Sequence, residues 1–112
     1  MVISLENAEH YHWGEFYDGW HLLKREDMSV ILERVPAGGA EVMHFHQTAR
    51  QFFYILDGQG TMVFEDREVV LTQGQGLEIH PQIKHQFKNQ SNAEVHFLVI
   101  SVPTTRGDRI NA

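Results

Sequence analysis

The sequence predicts an all-β domain, a sandwich or barrel of short strands with almost no helix. Two observations carry this. No window of the 112-residue chain sustains an apolar i, i+3, i+4, i+7 pattern, whereas short runs rich in Val, Ile, Phe and Tyr recur along it. Glycine and asparagine clusters break those runs at short intervals, as hairpin turns require. A hydrophobic content of 42% with seven phenylalanines is enough for one small core, and the length fits one domain.

The elements follow in order. Residues 1–19 are aromatic but unpatterned and read as an irregular arm that packs on the barrel or on a partner subunit. Strands are expected at Trp20–Leu23, Met28–Val35 and Glu41–His46, then at Gln51–Leu56, which is apolar on both faces. Asp57-Gly58-Gln59-Gly60 is a hairpin turn, since glycine accepts positive φ, and Thr61–Glu65 returns the chain. Asp66–Arg67 turns into Glu68–Leu71, and Gly74-Gln75-Gly76 turns into Leu77–His80. His85–Lys88 and Glu94–Val102, joined by the polar turn Gln90–Ala93, complete a barrel over residues 20–103. Residues 104–112 form a polar, loose tail.

Composition narrows the function. A formal net charge of −6 argues against nucleic acid or an anionic membrane as partner. The absence of cysteine excludes a disulfide scaffold, a thiolate zinc site and a cysteine nucleophile. The first ten residues lack a basic segment followed by an apolar run, and no apolar stretch approaches the ~20 residues that span a bilayer, so a cytoplasmic protein is expected. No Ser–His–Asp grouping, phosphate loop or nucleic-acid motif is visible.

The chemistry-bearing feature is His44-Phe45-His46. Side chains alternate along a strand, so these two imidazoles share a face and are placed to chelate one cation. By the same alternation Gln51 shares a face with Phe53 and Ile55, and His85 with Phe87. If those faces line one interior, three imidazoles and one amide oxygen converge. A second His-x-His pair, His10 and His12, lies in the expected arm and reads as solvated side chains.

From Gly38 the chain reads five residues, His44-Phe45-His46, four residues, Gln51, six residues, Gly58. From Gly74 it reads five residues, His80-Pro81-Gln82, two residues, His85, three residues, Asn89. This resembles the two motifs of the cupin superfamily, Gly-x5-His-x-His-x4-Glu-x6-Gly and Gly-x5-Pro-x-Gly-x2-His-x3-Asn. The match spans residues 38–89. It implies a double-stranded β-helix, or jelly roll, holding one divalent transition metal (Fe, Mn, Ni, Zn or Cu). The implied ligands are His44, His46 and His85. Gln51 stands where the family has glutamate, His80 where it has proline and Gln82 where it has glycine. The resemblance also implies a homodimer.

With Gln51 in place of a carboxylate, the site keeps one more unit of positive charge. The amide is a weaker donor, so the metal binds less tightly and is more electrophilic, which favours an anionic ligand. Gln51 cannot serve as a general base. Phe53, Met62, Phe64 and Phe87 are expected to line the pocket, and His96 is a candidate to enter it from the last strand. Phe52, Tyr54 and Leu56 face the other way and, with Trp13, Phe16, Tyr17 and Trp20, offer a dimer interface.

Two function classes follow. The first is a metal-dependent dioxygenase, isomerase or decarboxylase acting on a small anionic or aromatic molecule, its catalytic residues not identified by sequence. The second is a non-catalytic binding or sensing module of the same fold. A metal-free sugar epimerase ranks last, because no Asp occupies a strand-interior position to pair with a histidine.

Overall fold

The structure, a computed structural model, describes residues 2–112. The chain forms β1 (Glu9–Trp13), β2 (Tyr17–Lys24), β3 (Ser29–Val35), β4 (His44–His46), β5 (Arg50–Asp57) and β6 (Gln59–Phe64). It continues with β7 (Glu68–Thr72), β8 (Gly76–Ile79), β9 (His85–Lys88), β10 (Val95–Val102) and β11 (Arg109–Asn111). These build two antiparallel sheets, ordered β1-β2-β3-β10-β5-β8 and β11-β4-β9-β6-β7, the double-stranded β-helix expected. No helix among the described residues is long and apolar enough to cross a membrane.

Period-two alternation decides which side chains meet between the sheets. On β5 the buried set is Gln51, Phe53 and Ile55; on β9 it is His85 and Phe87; on β10 it is Val95, Phe97, Val99 and Ser101. The register places Ser101 opposite Gln51 and Val99 opposite Phe53. Phe87 and Phe97 pack with tilted rings, centroids 4.2 Å apart, and Phe53 stacks on Phe97 at 5.9 Å. Val35, Ile55, Met62 and Val95 complete a core that fills the lower barrel and leaves the end holding His44 and Gln51 polar.

Two glycines are dictated by close approach. Gly58 sits at φ 89°, and a Cβ there would lie 2.7 Å from the Glu94 carbonyl. A Cβ on Gly60 would lie 2.3 Å from the Phe87 ring.

The structure differs from the sequence expectation at both ends. Inside residues 1–19, β1 pairs with β2 in a hairpin, with His10 opposite Trp20 and Trp13 opposite Tyr17. The strand is exposed along most of its length and carries His10 and His12 outward, so it has no apolar alternation to reveal it. Inside residues 104–112, β11 pairs with β4, with Arg109 opposite His46 and Asn111 opposite His44. All three β11 residues are exposed; backbone pairing holds them to the barrel without a buried side chain.

Candidate metal centre

His44 and His46 are the inward residues of β4, and His85 of β9 lies directly opposite His44. Their solvent exposure is only 3%, 5% and 0%. One ring nitrogen from each lies within 4.8 Å of the other two. Backbone carbonyls orient two of the rings: His44 Nδ1 is 2.8 Å from the Val42 oxygen and His85 Nδ1 is 2.9 Å from the Ile83 oxygen. Donation from Nδ1–H fixes the tautomer and leaves the Nε2 lone pair free, the arrangement that metal-ligating histidines use.

Gln51 enters from β5. Its Nε2 donates to Ser101 Oγ at 3.2 Å, and its Oε1 is buried with no partner. His85 Nε2 and His46 Nδ1 are likewise buried and unpartnered. Orphaned buried polar atoms are costly unless something satisfies them. Three neutral imidazoles within ligand reach of one another suit a first-row divalent ion, and Gln51 lines the same cavity as His44 and His46. The residues fit such an ion.

The imidazoles are held neutral. Burial first, then the neighbouring rings and the Arg109 guanidinium, drive His44 down to about 3. Burial, His85 and Arg109 drive His46 down to about 4, and burial lowers His85 too. No proton must leave at neutral pH before such rings ligate.

The turn joining β4 to β5 is tied down by Asp108. Its carboxylate accepts the backbone N–H of Gln47 at 3.0 Å, Thr48 at 3.1 Å and Ala49 at 2.8 Å. Partial burial opposes ionisation, but the amide hydrogen bonds outweigh it and keep this carboxyl below its ordinary value.

The structure adds a group of residues that sequence reasoning missed. A cavity of about 240 Å³ is lined by His44, His46, Gln51 and Phe53 together with Glu33, Glu41, Tyr11 and Arg109. Glu33 projects from β3, and the Tyr11 hydroxyl donates to its Oε2 at 3.4 Å. Burial and the charge of Glu41 push Glu33 up to about 8. Burial pushes Glu41 up to about 7, although its Oε1 accepts the Phe87 N–H at 3.0 Å and lies 4.0 Å from His44 Nδ1. Burial and Glu33 raise the Tyr11 phenol well above its ordinary value. Two carboxyls poised near neutral pH therefore face the imidazoles. Counting back by twos from the buried Val35 would have put Glu33 inward; Tyr11 and Arg109 lie in segments that carried no strand signal.

The expected pocket wall is revised. Phe53 does line the cavity. Met62 and Phe87 are fully buried in the closed core below it. Phe64 packs at the core's edge beneath the Arg67 guanidinium, 4.6 Å from its ring centroid, and lines a separate depression. His96 is corrected: it sits on the outward face of β10, 3.6 Å from Glu94, because Val95, Phe97 and Val99 take the inward face. His80 lies at the surface, 3.6 Å from Glu78. His10 and His12 approach Asp18, at 2.7 and 3.4 Å, on the outside of the first sheet.

Comparison with known proteins agrees with the fold. Residues 31–101 match the family described as "Cupin domain". The uncharacterized protein MJ1618 of Methanocaldococcus jannaschii is 30% identical over 83 residues, covering 74% of this chain and 66% of that protein, so the chain spans just under two thirds of that relative's length. The polyketide cyclase RemF from Streptomyces resistomycificus superposes with a TM-score of 0.84 at 16% identity, covering 100% of this chain and 84% of that one. A predicted oxalate decarboxylase from Thermotoga maritima does so with 0.83 at 18% identity, covering 93% and 100%. At these identities the two structures show a shared fold. The family match over more than half of the sequence does more: this chain belongs to the cupin family.

Proposed function

We propose that the protein is a metal-dependent cupin that moves a proton on a small oxyanion-bearing organic molecule, in an isomerase-type reaction. The observation that carries this is the placement of Glu33 in the cavity that also exposes His44, His46 and Gln51. His44, His46 and His85 would hold the ion, with Gln51 Oε1 available as a fourth, weaker donor. When bound, a divalent ion supplies Lewis-acid polarisation of a substrate oxygen. Glu33, poised near neutral pH, takes a proton from a carbon next to the substrate carbonyl and returns it to the neighbouring carbon or oxygen. Tyr11 orients that carboxyl through its hydrogen bond, and Arg109 balances negative charge on the substrate. Phe53 and the core beneath keep water from the floor of the cavity. The two titratable carboxyls support proton transfer over dioxygenation. The reading includes a homodimer built on the outward Phe52, Tyr54 and Leu56 of β5, testable by light scattering.

The test has two parts. Elemental analysis of purified protein should find about one transition-metal ion per chain, lost in a His44→Ala/His46→Ala variant. Small hydroxy and keto acids incubated with the protein in heavy water should then gain deuterium at the carbon beside the carbonyl, and the Glu33→Gln variant should not support this. Protein free of metal after expression with abundant transition metals would overturn the site. Stoichiometric metal without exchange on any acid of the panel would favour the non-catalytic binding module.

A further inference from the structure

Beside the imidazole cavity lies a larger one of about 610 Å³. Tyr11, Ile31 and Thr105 line both, so their side chains form the partition between them. The far wall carries Lys24, Arg25 and Arg106 against one carboxylate, Glu26. In a chain of net charge −6 this is a local excess of positive charge. Lys24 is occupied by Glu9 at 3.2 Å, which leaves the two guanidiniums as the cations of the wall that make no ion pair among the described residues.

A second observation is independent of charge. Ser29 Oγ and His21 Nδ1, both lining this cavity, are buried and have no hydrogen-bond partner. Ser29 is 4% exposed, so its hydroxyl is withdrawn from bulk water yet unsatisfied. The wall is built rather than fortuitous: Thr104 N–H donates to the Glu26 carbonyl at 3.0 Å, and Arg25 N–H to the Met28 carbonyl at 3.0 Å. These bonds hold the segment bearing Arg106 against the turn bearing Arg25.

We infer that this second cavity is a subsite for an oxyanion, a carboxylate or a phosphate, at the end of the substrate remote from the imidazoles. Ser29 donates one hydrogen bond to it, and His21 a second in the tautomer protonated at Nδ1. Arg25 and Arg106 provide planar, paired donors suited to such a group. The substrate class that follows is a small organic molecule with two oxygen-rich ends, one facing the imidazoles and Glu33, the other reaching past Tyr11 and Thr105. This rests on the function proposed above only in naming the two ends as one molecule; the subsite itself does not need a metal.

Titration of the full-length protein with inorganic phosphate and, separately, with acetate, followed by amide NMR shifts, tests it. At least one anion should saturate in the millimolar range, with shifts centred on Arg25, Ser29 and Arg106. Saturation by phosphate alone or acetate alone supports the subsite and identifies the group it takes. Affinity should fall at least tenfold in Arg25→Ala/Arg106→Ala and in Ser29→Ala, each checked for an unchanged melting curve. It should be unchanged in Arg67→Ala, and also in His44→Ala/His46→Ala, which separates failure of this subsite from failure of the metal centre. No saturable shift at those residues with either anion, or an equal loss in Arg67→Ala, would overturn the inference.

Discussion

Gln51 Nε2 donates to Ser101 Oγ across the β5–β10 ladder at 3.2 Å, which leaves the amide oxygen buried and unpartnered on a residue that lines the same cavity as His44 and His46. Gln51→Glu would put a charged donor where that oxygen lies. Affinity for Zn²⁺ or Mn²⁺, measured by calorimetry, should rise at least tenfold, about 1.4 kcal/mol. An unchanged affinity would place this side chain outside the ligand set.

Glu33 gives a stability signature with a defined sign. Its folded-state value, about 8, lies above the ordinary 4.5, so the folded protein favours the protonated form. The stabilising contribution is complete below pH 4.5 and is lost as pH rises through 8. Urea denaturation at pH 5 and pH 9 should show the wild type weakening toward high pH. Glu33→Gln should flatten that slope and be the more stable protein at pH 9.

The imidazoles act in the opposite direction. Folded-state values of about 3 for His44 and 4 for His46 lie below 6.5, so the unfolded chain binds protons more readily. Their contribution is complete above pH 6.5 and disappears as pH falls toward 3. Metal-stripped protein should lose stability steeply between pH 6.5 and 4, and a His44→Gln/His46→Gln variant should lose much less.

Asp108→Ala removes the acceptor that gathers the amides of Gln47, Thr48 and Ala49. A loss of about 1.5–3 kcal/mol is expected in chemical denaturation, since hydrogen bonds to a charged group contribute in that range. Metal affinity should fall as well, because the turn fixes the end of β4. A variant with wild-type stability would show that water replaces the carboxylate at no cost.

Gln82 occupies the place of a family glycine and keeps the left-handed backbone, φ 70°, while its N–H donates to the His46 carbonyl at 2.6 Å. Relief of that strain outweighs the added freedom of the unfolded chain. Gln82→Gly should therefore stabilise the protein by about 0.5–1 kcal/mol, read as a higher melting temperature.

The sequence signals were strong where burial enforced a period and weak where it did not. Gln51 and His85 were legible because each lies on a strand whose inward parity is set by a buried neighbour, Phe53 or Phe87, whereas His44 and His46 were legible from their own i, i+2 spacing. His96 was misjudged because β10 is apolar on both faces, so alternation alone does not say which set turns inward. A register shift between His96 and Phe97 adds to the ambiguity. Glu33 had a readable parity but looked like one polar residue on a half-exposed strand. Tyr11 and Arg109 gave no signal, since β1 and β11 are held by backbone pairing at sheet edges and bury little.

That edge position has its own consequence. The imidazoles sit on β4 and β9, each flanked on both sides, whereas Tyr11 and Arg109 ride on β1 and β11, each held by a single neighbour. Outer strands open at a lower free-energy cost than inner ones. The cavity thus has a stiff floor and a soft rim. Hydrogen exchange should be fast at residues 9–13 and 109–111 while the amides of His44 and His85 stay protected. An ion held by the floor would outlast many openings of the rim, so metal residence and ligand exchange would be set by different strands and respond to different mutations.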